Sequence, residues 1–401
     1  MKSKAKLFFM ALAAIIIAAC SEKPVSPDTP YIIDGEVTGV KDGVEIALVE
    51  YDGDVGTIIA QDTLTNGKFH FEEVIREPEL NWLSIIALDD NIPNIQCAIY
   101  VEPGAHIKVT GHDNHVHTWD VDSKVPEQQA NRELIEAAKA EWEEYQSLAI
   151  ASHKALNEYH EINREKEPER RKEAYNLYRK YSDQMDSMYV EIRGKEIEQM
   201  KKMKPSKPWL RELEKMSKMA GAYDDYAFRD EAIVLYNSLP EEIKQSEKGH
   251  ELYANLFPPQ RVKDGDDCPD ADLYDLQGNL HHISEFKGKY ILLDFWSSAC
   301  GPCIQAFPEM KEMYEQFADQ LAIISMSTDT DRRWRQASEK HDITWNNWNE
   351  GKGTGGLYAV FHVVGIPHYV LVNPEGKIEK QMVGYREGKF KTLFAELFGE
   401  K

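Results

Sequence analysis

A pair of cysteines that follows a strongly apolar run constrains the fold more than any other feature of the chain. The run covers residues 290–296 (YILLDFW), and the cysteines are Cys300 and Cys303, with Gly301 and Pro302 between them. Such a run is typical of a buried strand, and the i, i+3 spacing places both thiols on one face of a helix that begins where the strand ends. Free N–H groups and the helix dipole at that junction stabilise a thiolate, which lowers a thiol pKa from about 8.5 toward about 7 or below. The spacing also allows a small, easily reduced disulfide, so the sequence predicts a reactive pair at a strand-to-helix junction.

The segment from Asp294 to Cys303 (DFWSSACGPC) resembles the active-site segment of thioredoxins. Pro308, five residues after the second cysteine, corresponds to the proline inside the thioredoxin active-site helix. Gly365-Ile366-Pro367 corresponds to the cis-proline loop of that fold. Residues 260–401 as a whole resemble TlpA-like and ResA-like thioredoxins, which are often grouped with AhpC/TSA peroxidases. The resemblance implies an α/β thioredoxin fold with additional structure between the active-site helix and the proline loop.

Three residues near the cysteines depart from the TlpA-like pattern. Ala299 replaces the bulky tryptophan that usually precedes the first cysteine, which predicts a more open rim. Ala306 stands where many members carry a glutamate, and Asp294 is the thioredoxin choice where asparagine is more common. These differences bear on the reduction potential rather than on the class of reaction.

The resemblance implies roles for the residues of the pair. Cys300 is expected to attack a substrate disulfide as a thiolate, and Cys303 to resolve the mixed disulfide, which leaves the two cysteines oxidised. Gly301 permits close approach of the substrate, and Pro302 is preorganised for the first helical turn. Asp294, in an otherwise apolar strand, is expected to have a raised pKa and to exchange protons with Cys303. The alternative for Asp294 is a hydrogen-bonded polar residue with a structural role.

The proline loop and its surroundings carry further expectations. Pro367 is expected to be cis, to shield the cysteines from metals and to expose the Ile366 backbone for pairing with an extended substrate; the alternative is an ordinary trans proline. Trp296 is expected to pack beneath the site, in either a structural or a substrate-binding role. His368 is interpreted as a surface residue without a role, with substrate contact as the alternative. Ser325 is interpreted as the counterpart of a thioredoxin lysine near the buried acid. We expect no cofactor besides the redox-active disulfide. The chain has no second CxxC to complete a metal site with the first, and it has no P-loop or dinucleotide fingerprint.

The N-terminus has the pattern of an export signal. Three lysines precede an apolar stretch, residues 7–19, that is too short to span a bilayer comfortably. The sequence at 17–20 (IAAC) resembles a bacterial lipobox, which implies cleavage before Cys20 and acylation of that cysteine; the alternative is a simple signal peptide with a chance cysteine. Several acyl chains anchor a protein stably. Residues 1–20 are thus interpreted as a lipoprotein signal, and residues 21–30, with three prolines, as an extended tether.

This N-terminus predicts a location in a bacterial cell envelope, with the protein lipid-anchored to a membrane and facing the periplasm or the outer surface. Two further cysteines, Cys97 and Cys268, are then free to form a structural disulfide, since an oxidising compartment permits it. Two separate buried thiols are the favoured interpretation.

The chain changes character twice before the thioredoxin-like segment. Residues 31–122 contain short apolar or alternating runs and the turn signals Asp42-Gly43 and Asn66-Gly67, which predict hairpins in a small β-sandwich. This part resembles a β-domain of unknown function that precedes many envelope thioredoxins. Residues 127–256 carry apolar side chains at helical spacing, which predicts two long antiparallel helices followed by shorter ones. Pro258-Pro259 marks the boundary, so the predicted fold class is α+β and multidomain: an N-terminal β-sandwich, a central helical region and a C-terminal α/β thioredoxin fold.

Several elements are specific enough to be compared with a structure. The predicted strands are Tyr31–Val37, Val44–Tyr51, Lys68–Phe71, Trp82–Leu88, Ile95–Val101 and His106–Thr110. An apolar stripe expected to lie in the helical core consists of Tyr178, Tyr181, Met185, Met188 and Ile192. Histidines and aspartates between residues 112 and 120 offer possible metal ligands, with a solvated loop as the favoured interpretation.

Charge and motif together define the functional hypotheses. The net charge of −22 argues against nonspecific nucleic-acid binding. The leading hypothesis is a membrane-anchored thiol-disulfide oxidoreductase that reduces or isomerises protein disulfides in the envelope and is recharged by a membrane thiol electron donor. The Gly-Pro pair resembles that of reducing thioredoxins, and apocytochrome c maturation is one substrate class of the relatives.

Two alternatives remain open at this point. A thiol peroxidase is one, although Leu293 stands where a peroxiredoxin motif requires proline, while Ser297 fits the neighbouring position. The other is a partner- or glycan-binding lipoprotein whose redox domain is ancillary.

Overall fold

A computed structural model describes residues 25–53, 55–76, 81–89, 92–93 and 95–399. The predicted signal, Cys20 and the first residues of the tether lie outside the described residues. The rest of the chain is multidomain and contains both helices and sheets. Within the described ranges, no helix is both long and apolar enough to cross a lipid bilayer.

Two sheets of the N-terminal part enclose one hydrophobic cluster. The strands are β1 Tyr31–Thr38, β2 Glu45–Asp52, β3 Val55–Thr63, β4 Lys68–Glu73, β5 Trp82–Leu88, β6 Gln96–Tyr100, β7 His106–His112 and β8 Asp120–Asp122, with a 3₁₀ turn at Val116–Thr118. One sheet has the order β4-β1-β7-β8 and the other β3-β2-β5-β6. Ile33 and Val109 from the first sheet pack with Ile46, Ile85 and Ile99 from the second, so the inward residues of both sheets form one core.

The two turn signals were predicted to form hairpins, and this pairing is wrong. Asp42-Gly43 connects β1 to β2 and Asn66-Gly67 connects β3 to β4, and each turn joins strands of different sheets. Gly43 and Gly67 have positive φ, as the turn signals require. The Gly67 amide donates to Asp42 Oδ1 at 3.1 Å, so the two turns pack against each other. Both turns reverse the chain across the core, because strands on either side must contribute apolar faces to it.

Strands β3 and β8 are absent from the prediction. Most side chains of β3 are exposed or half-buried because it is an edge strand, and its sequence lacks a clear alternation of apolar and polar residues. The strand β8 has three residues, too few for a periodic signal. A strand is predicted from sequence when one of its faces is apolar over several residues, and neither β3 nor β8 has such a face.

The central part is helical, with the two long helices antiparallel as predicted. The helices are α1 Pro126–Glu136, α2 Lys139–Glu161, α3 Pro168–Met200, α4 Lys207–Ala222, α5 Arg229–Asn237, α6 Glu241–Lys244 and α7 Glu247–Leu256. Trp142 near the start of α2 donates to Glu196 near the end of α3 at 2.9 Å. At the other end, Arg170 and Glu158 form an ion pair at 3.0 Å.

The apolar stripe of α3 is less buried than predicted. Ile192 is fully buried, whereas Tyr178, Tyr181, Met185 and Met188 are half-buried. Along this stretch α3 packs mainly on α2, and a single neighbouring helix covers only part of its circumference. The prediction of a core position is therefore correct for Ile192, at the end of the stripe, and wrong for the other four residues.

The C-terminal part is a five-stranded sheet with helices on both faces. Its elements are β9 Leu273–Tyr274, β10 Leu280–His281, a 3₁₀ turn Ile283–Phe286, β11 Tyr290–Trp296, α8 Gly301–Gln316, β12 Leu321–Ser327, α9 Asp331–Lys340, β13 Asn346–Trp348, α10 Gly356–Val360, β14 His368–Val372, β15 Ile378–Val383 and α11 Lys389–Phe398. The sheet order is β13-β12-β11-β14-β15, with β12 parallel and β14 antiparallel to the central β11. This topology confirms the predicted thioredoxin fold, and β11 has the bounds of the apolar run. The segment between α8 and the proline loop contains β12, α9, β13 and α10, and β13 adds an edge strand to the sheet.

The two remaining cysteines are free thiols in different parts of the chain. Cys97 is buried in the core of the N-terminal sheets, and Cys268 is half-buried beside the C-terminal sheet. The interpretation as two separate thiols is confirmed, although Cys268 is less buried than expected.

A buried glutamate of α8 caps the last helix of the fold. Glu309 is 6% exposed, and its Oε1 accepts from the Phe390 and Lys391 amides at 2.8 Å each. Its Oε2 accepts from the Tyr385 hydroxyl at 2.7 Å and from the Gly388 amide at 3.1 Å. The carboxylate thus pairs with N–H groups that the start of α11 leaves unsatisfied, and it ties α11 to the active-site helix.

We expect Glu309→Ala to lower the free energy of unfolding by about 2–3 kcal/mol, because it leaves several buried donors unpaired and removes a helix cap. Glu312→Ala is the matched control, since Glu312 lies in the same helix but is exposed and pairs with the exposed Lys391. Such a pair is worth about 0–1 kcal/mol. Urea unfolding followed by tryptophan fluorescence measures both, and equal losses for the two variants would contradict the capping role.

Candidate active site

The cysteine pair lies where β11 gives way to α8, as predicted. Cys300 is the N-cap residue of α8, and Cys303 lies in its first turn. The two sulfurs form a disulfide, with the Cα atoms 5.2 Å apart. Cys303 is buried and Cys300 is half-buried, so a substrate from solvent meets Cys300 first. The Cys303 amide donates to Cys300 Sγ at 3.2 Å, which directs a helix N–H group at the sulfur that the predicted mechanism uses as the nucleophile.

The rim of the site is formed by the residues next to Cys300 and by the proline loop. Gly301 and Pro302 are exposed, as is Ala299. The Ile366–Pro367 peptide bond is cis, which confirms the predicted isomer. Ile366 is half-buried and packs against the same hydrophobic cluster as Cys300, so the fold brings the proline loop and the cysteine pair together.

Asp294 is buried in the middle of the central strand. It is 1% exposed, and its Oδ2 accepts from the Ser325 hydroxyl at 2.7 Å. Ser325 in turn accepts from Trp345 Nε1 at 2.8 Å. Burial raises the pKa of Asp294 to about 7, while the hydrogen bond from Ser325 acts in the opposite direction. A raised pKa for Asp294 was expected from the sequence. Ser325 contacts the carboxyl group, as expected for the counterpart of the thioredoxin lysine.

Trp296 lies beneath the site, as predicted, with a structural role. Its side chain is fully buried and makes an edge contact with Phe307 at 5.2 Å between ring centroids. The side chain therefore offers no surface to a substrate, which corrects the substrate-binding alternative. Its backbone carbonyl accepts from the Tyr358 hydroxyl and the Thr328 amide, at 3.1 and 3.2 Å.

The interpretation of His368 as a surface residue is wrong. His368 is 6% exposed, and its ring makes an edge contact with Phe295 of β11 at 5.9 Å between ring centroids. Its Nε2 lies 3.3 Å from Gln381 Oε1, and burial lowers its pKa.

Sequence reasoning missed Asp329, which holds the loop before the cysteines. Asp329 Oδ2 accepts from the Ser298 amide at 2.6 Å and from the Ser327 hydroxyl at 2.8 Å. Its Oδ1 accepts from the Ser298 hydroxyl at 3.1 Å. The signal was available, since β11 and β12 are parallel neighbours and the carboxyl ends of such strands meet at one edge of the sheet.

The histidine and aspartate cluster is a solvated loop only in part, since His112 and Asp113 are exposed whereas His115, His117 and Asp120 contact the helical region. His115 Nε2 lies 2.9 Å from the Ser147 hydroxyl, and His117 packs on Trp142 at 4.3 Å between ring centroids. Asp120 pairs with Arg132 at 3.0 Å. In the part of the chain that the structure describes, no group of three or more histidine, cysteine, aspartate or glutamate side chains is arranged to hold a metal ion.

The C-terminal part of the chain, which contains this site, is similar to known proteins. Residues 265–381 match the AhpC/TSA family. The thioredoxin-like protein YneN of Bacillus subtilis is 28% identical over 127 residues, which are 31% of this chain and 73% of that protein. The thiol-disulfide oxidoreductase ResA of Bacillus subtilis is 26% identical over 147 residues, covering 34% of this chain and 76% of ResA.

A solved thioredoxin domain of a thiol-disulfide oxidoreductase from Bacteroides vulgatus is 32% identical. It matches 35% of this chain and 99% of its own length, with a TM-score of 0.31. ResA is named a thiol-disulfide oxidoreductase and YneN a thioredoxin-like protein, and both names agree with the thioredoxin fold and the disulfide of the C-terminal domain. These relatives cover the C-terminal third and leave the sheets and helices before it unmatched.

We expect Asp294→Asn to stabilise the oxidised protein increasingly from pH 4 to pH 7. The folded-state pKa of about 7 exceeds the ordinary value of 3.8, so the folded state binds the proton more tightly in this window. The stability of the parent protein, relative to the asparagine variant, therefore falls by up to about 1.4 kcal/mol per pH unit and levels off above pH 7.

Urea unfolding at pH 4.5, 6 and 7.5 measures the difference between parent and variant. Asp267→Asn is the control, because Asp267 is an exposed carboxylate whose pKa is lowered by Lys377 and which titrates below this window. A difference between Asp294→Asn and the parent that does not change with pH would contradict a neutral-range pKa for Asp294.

Proposed function

We propose that the chain is an envelope thiol-disulfide oxidoreductase that reduces or isomerises disulfides of exported proteins. The observation that carries this proposal is the half-exposed Cys300 at the start of α8, in a disulfide with the buried Cys303. A helix N-terminus stabilises the thiolate that attacks, and a buried partner one turn away is protected until a mixed disulfide forms.

The reduced pair acts in two displacements. The Cys300 thiolate attacks one sulfur of a substrate disulfide; a Cys300–substrate bond forms, the substrate S–S bond breaks, and one substrate thiolate leaves. Cys303 then loses its proton and attacks Cys300 Sγ, which expels the second substrate thiolate and regenerates the Cys300–Cys303 disulfide. The substrate gains two electrons and the pair loses two.

Asp294 is proposed as the base that takes the Cys303 proton. A general base works best when its pKa lies near the working pH, and the pKa of Asp294 is about 7. Ser325 holds the carboxyl from the side of β12, so one carboxylate oxygen keeps a fixed position in the core. A proton taken by Asp294 returns to solvent or to the leaving thiolate after the second displacement.

The substrate is proposed to lie as an extended segment along the proline loop. The Ile366 backbone precedes the cis-proline beside the cysteine pair, and an extended chain pairs with such a backbone by main-chain hydrogen bonds. Val364 is 60% exposed and Gly301 and Pro302 are exposed, which makes the rim open and partly apolar. Such a rim suits unfolded or extended protein segments rather than a small molecule.

The proposed cellular location of the protein and the proposed direction of electron flow are inferred from the sequence. The export-signal pattern and the lipobox-like IAAC support a lipid anchor at Cys20, with the tether leading to two sheets that we infer form the predicted β-sandwich. The Gly-Pro pair favours reduction, which in an oxidising compartment requires a membrane thiol electron donor to recharge the disulfide.

We expect Cys300→Ser to reduce the rate of insulin reduction by roughly two orders of magnitude or more, because the nucleophile is lost. Cys303→Ser is expected to accumulate a mixed disulfide with substrate, which mass spectrometry detects. The assay uses the chain that begins after Cys20, with dithiothreitol as reductant. Cys268→Ser serves as a control at a free thiol, with an unchanged rate expected. Rapid peroxide consumption by Cys303→Ser, with no insulin reduction by the parent, would replace this function by that of a thiol peroxidase.

We expect a Cys300–Cys303 reduction potential near that of thioredoxin, about −270 mV, if the protein is a reductase. Equilibration with dithiothreitol or glutathione buffers of known composition measures it. A value near about −120 mV would contradict the reducing direction and indicate a donor of disulfides.

A further inference from the structure

A buried carboxylate of the N-terminal sheets contacts the C-terminal fold close to the cysteine pair. Asp52 is the last residue of β2 and is 8% exposed. The Thr330 hydroxyl donates to its Oδ1 and Oδ2 at 3.0 and 3.1 Å. Arg332 Nη2 lies 3.0 Å from Oδ2. Thr330 is the N-cap residue of α9, so both partners of Asp52 belong to the short stretch where the loop after β12 enters that helix.

The same stretch holds the loop that leads to Cys300. Asp329 accepts hydrogen bonds from the amide and the hydroxyl of Ser298, two residues before the first cysteine. The Thr328 amide donates to the Trp296 carbonyl at 3.2 Å. Three consecutive residues of one loop therefore contact Asp52 on one side and the active-site loop on the other.

The loop at residues 328–331 is not packed against side chains on all sides. A cavity of about 780 Å³ lies where the sheets, the helical region and the thioredoxin fold meet, and residues 328–331 form part of its wall. Thr330 is exposed toward solvent apart from its bond to Asp52. Hydrogen bonds therefore contribute more to the position of this loop than they do for a fully packed segment.

We propose that Asp52 is a positioning residue for Cys300, acting through Thr330 and Asp329. The inference rests on the proposed function, since it concerns the reactivity of the same thiolate. Asp52 fixes the loop, the loop fixes Ser298, and Ser298 sets the approach of Cys300 to the amides at the start of α8. When the Asp52–Thr330 bond is lost, the thiolate is less well aligned with those amides, its pKa rises, and its reactivity near neutral pH falls.

Thr330→Val is the variant that isolates this effect. Removal of the Asp52 carboxylate also removes a negative charge, which by itself favours a nearby thiolate and opposes the expected change. Thr330→Val keeps every charge and nearly the same shape. The Thr330 side chain makes no capping hydrogen bond to α9, so Thr330→Val removes no hydrogen bond from that helix. Thr354→Val is the matched control, because the Thr354 hydroxyl also joins two parts of the chain, through Asn255 at 3.4 Å.

The experiment measures iodoacetamide alkylation of the Cys300 peptide in the reduced chain as a function of pH. Thr330→Val is expected to shift the Cys300 profile to higher pH and to slow alkylation near neutral pH by roughly two- to thirtyfold, the usual range for coupled residues. Thr354→Val is expected to retain the parent profile. In the oxidised protein, amide exchange of the peptide that contains Ser298 is expected to accelerate in Thr330→Val.

An unchanged alkylation profile in Thr330→Val, or an equal shift in Thr354→Val, would overturn the inference and leave Asp52 as an ordinary contact between domains. This test is independent of insulin reduction by the parent protein. A parent without insulin reduction would contradict the proposed function, while the alkylation profiles would still decide the role of Asp52.

Discussion

The free N–H groups at the start of α8 are the feature on which the rest of the site depends. One of them, from Cys303, points at the sulfur of Cys300, and a thiolate at that position gains from both the hydrogen bond and the helix dipole. The gain requires that Cys300 be held at the N-cap. The buried strand β11 fixes one end of the connecting loop, and Asp329 fixes its middle through Ser298. Accurate placement of one sulfur thus explains why a short surface loop has so many polar contacts.

Burial of the Asp294 carboxyl lowers the free energy of unfolding of the C-terminal fold at neutral pH. A carboxyl in the central strand of an apolar core favours its neutral form, and one hydrogen bond from Ser325 offsets only part of the desolvation. A leucine at this position would pack without that cost. The gain is a group that changes protonation near neutral pH, in the strand that leads to the cysteine pair. In the proposed mechanism this group takes the proton of Cys303, whose side chain is 1% exposed.

Local signals predicted the parts of this structure that local forces determine. The apolar run predicted β11 residue for residue, and the cysteine spacing predicted the junction with α8. Features that depend on distant partners were missed. Asp329 contacts Ser298 because two parallel strands end at the same edge of the sheet, and Glu309 contacts Phe390 at the start of α11, 81 residues further along the chain. The hairpin prediction failed for the same reason, since a turn signal specifies a reversal of the chain but not the sheet that the next strand joins.

The contact between Asp52 and the loop behind the cysteines gives the N-terminal sheets a physical connection to the chemistry. A tether alone would let the thioredoxin fold move independently of the rest of the chain. Here a buried carboxylate is matched by a hydroxyl and a guanidinium, and loss of either partner within the contact would leave a buried charge less well paired. Other contacts between the helical region and the C-terminal fold include the pair of Arg261 with the exposed Asp224 and the hydrogen bond of Asn255 with Thr354. Association of the domains therefore has two components, a general one carried by these other contacts and a specific one that ends at the loop before Cys300. A partner that displaced the sheets would act on the second component and so change the reactivity of the thiolate.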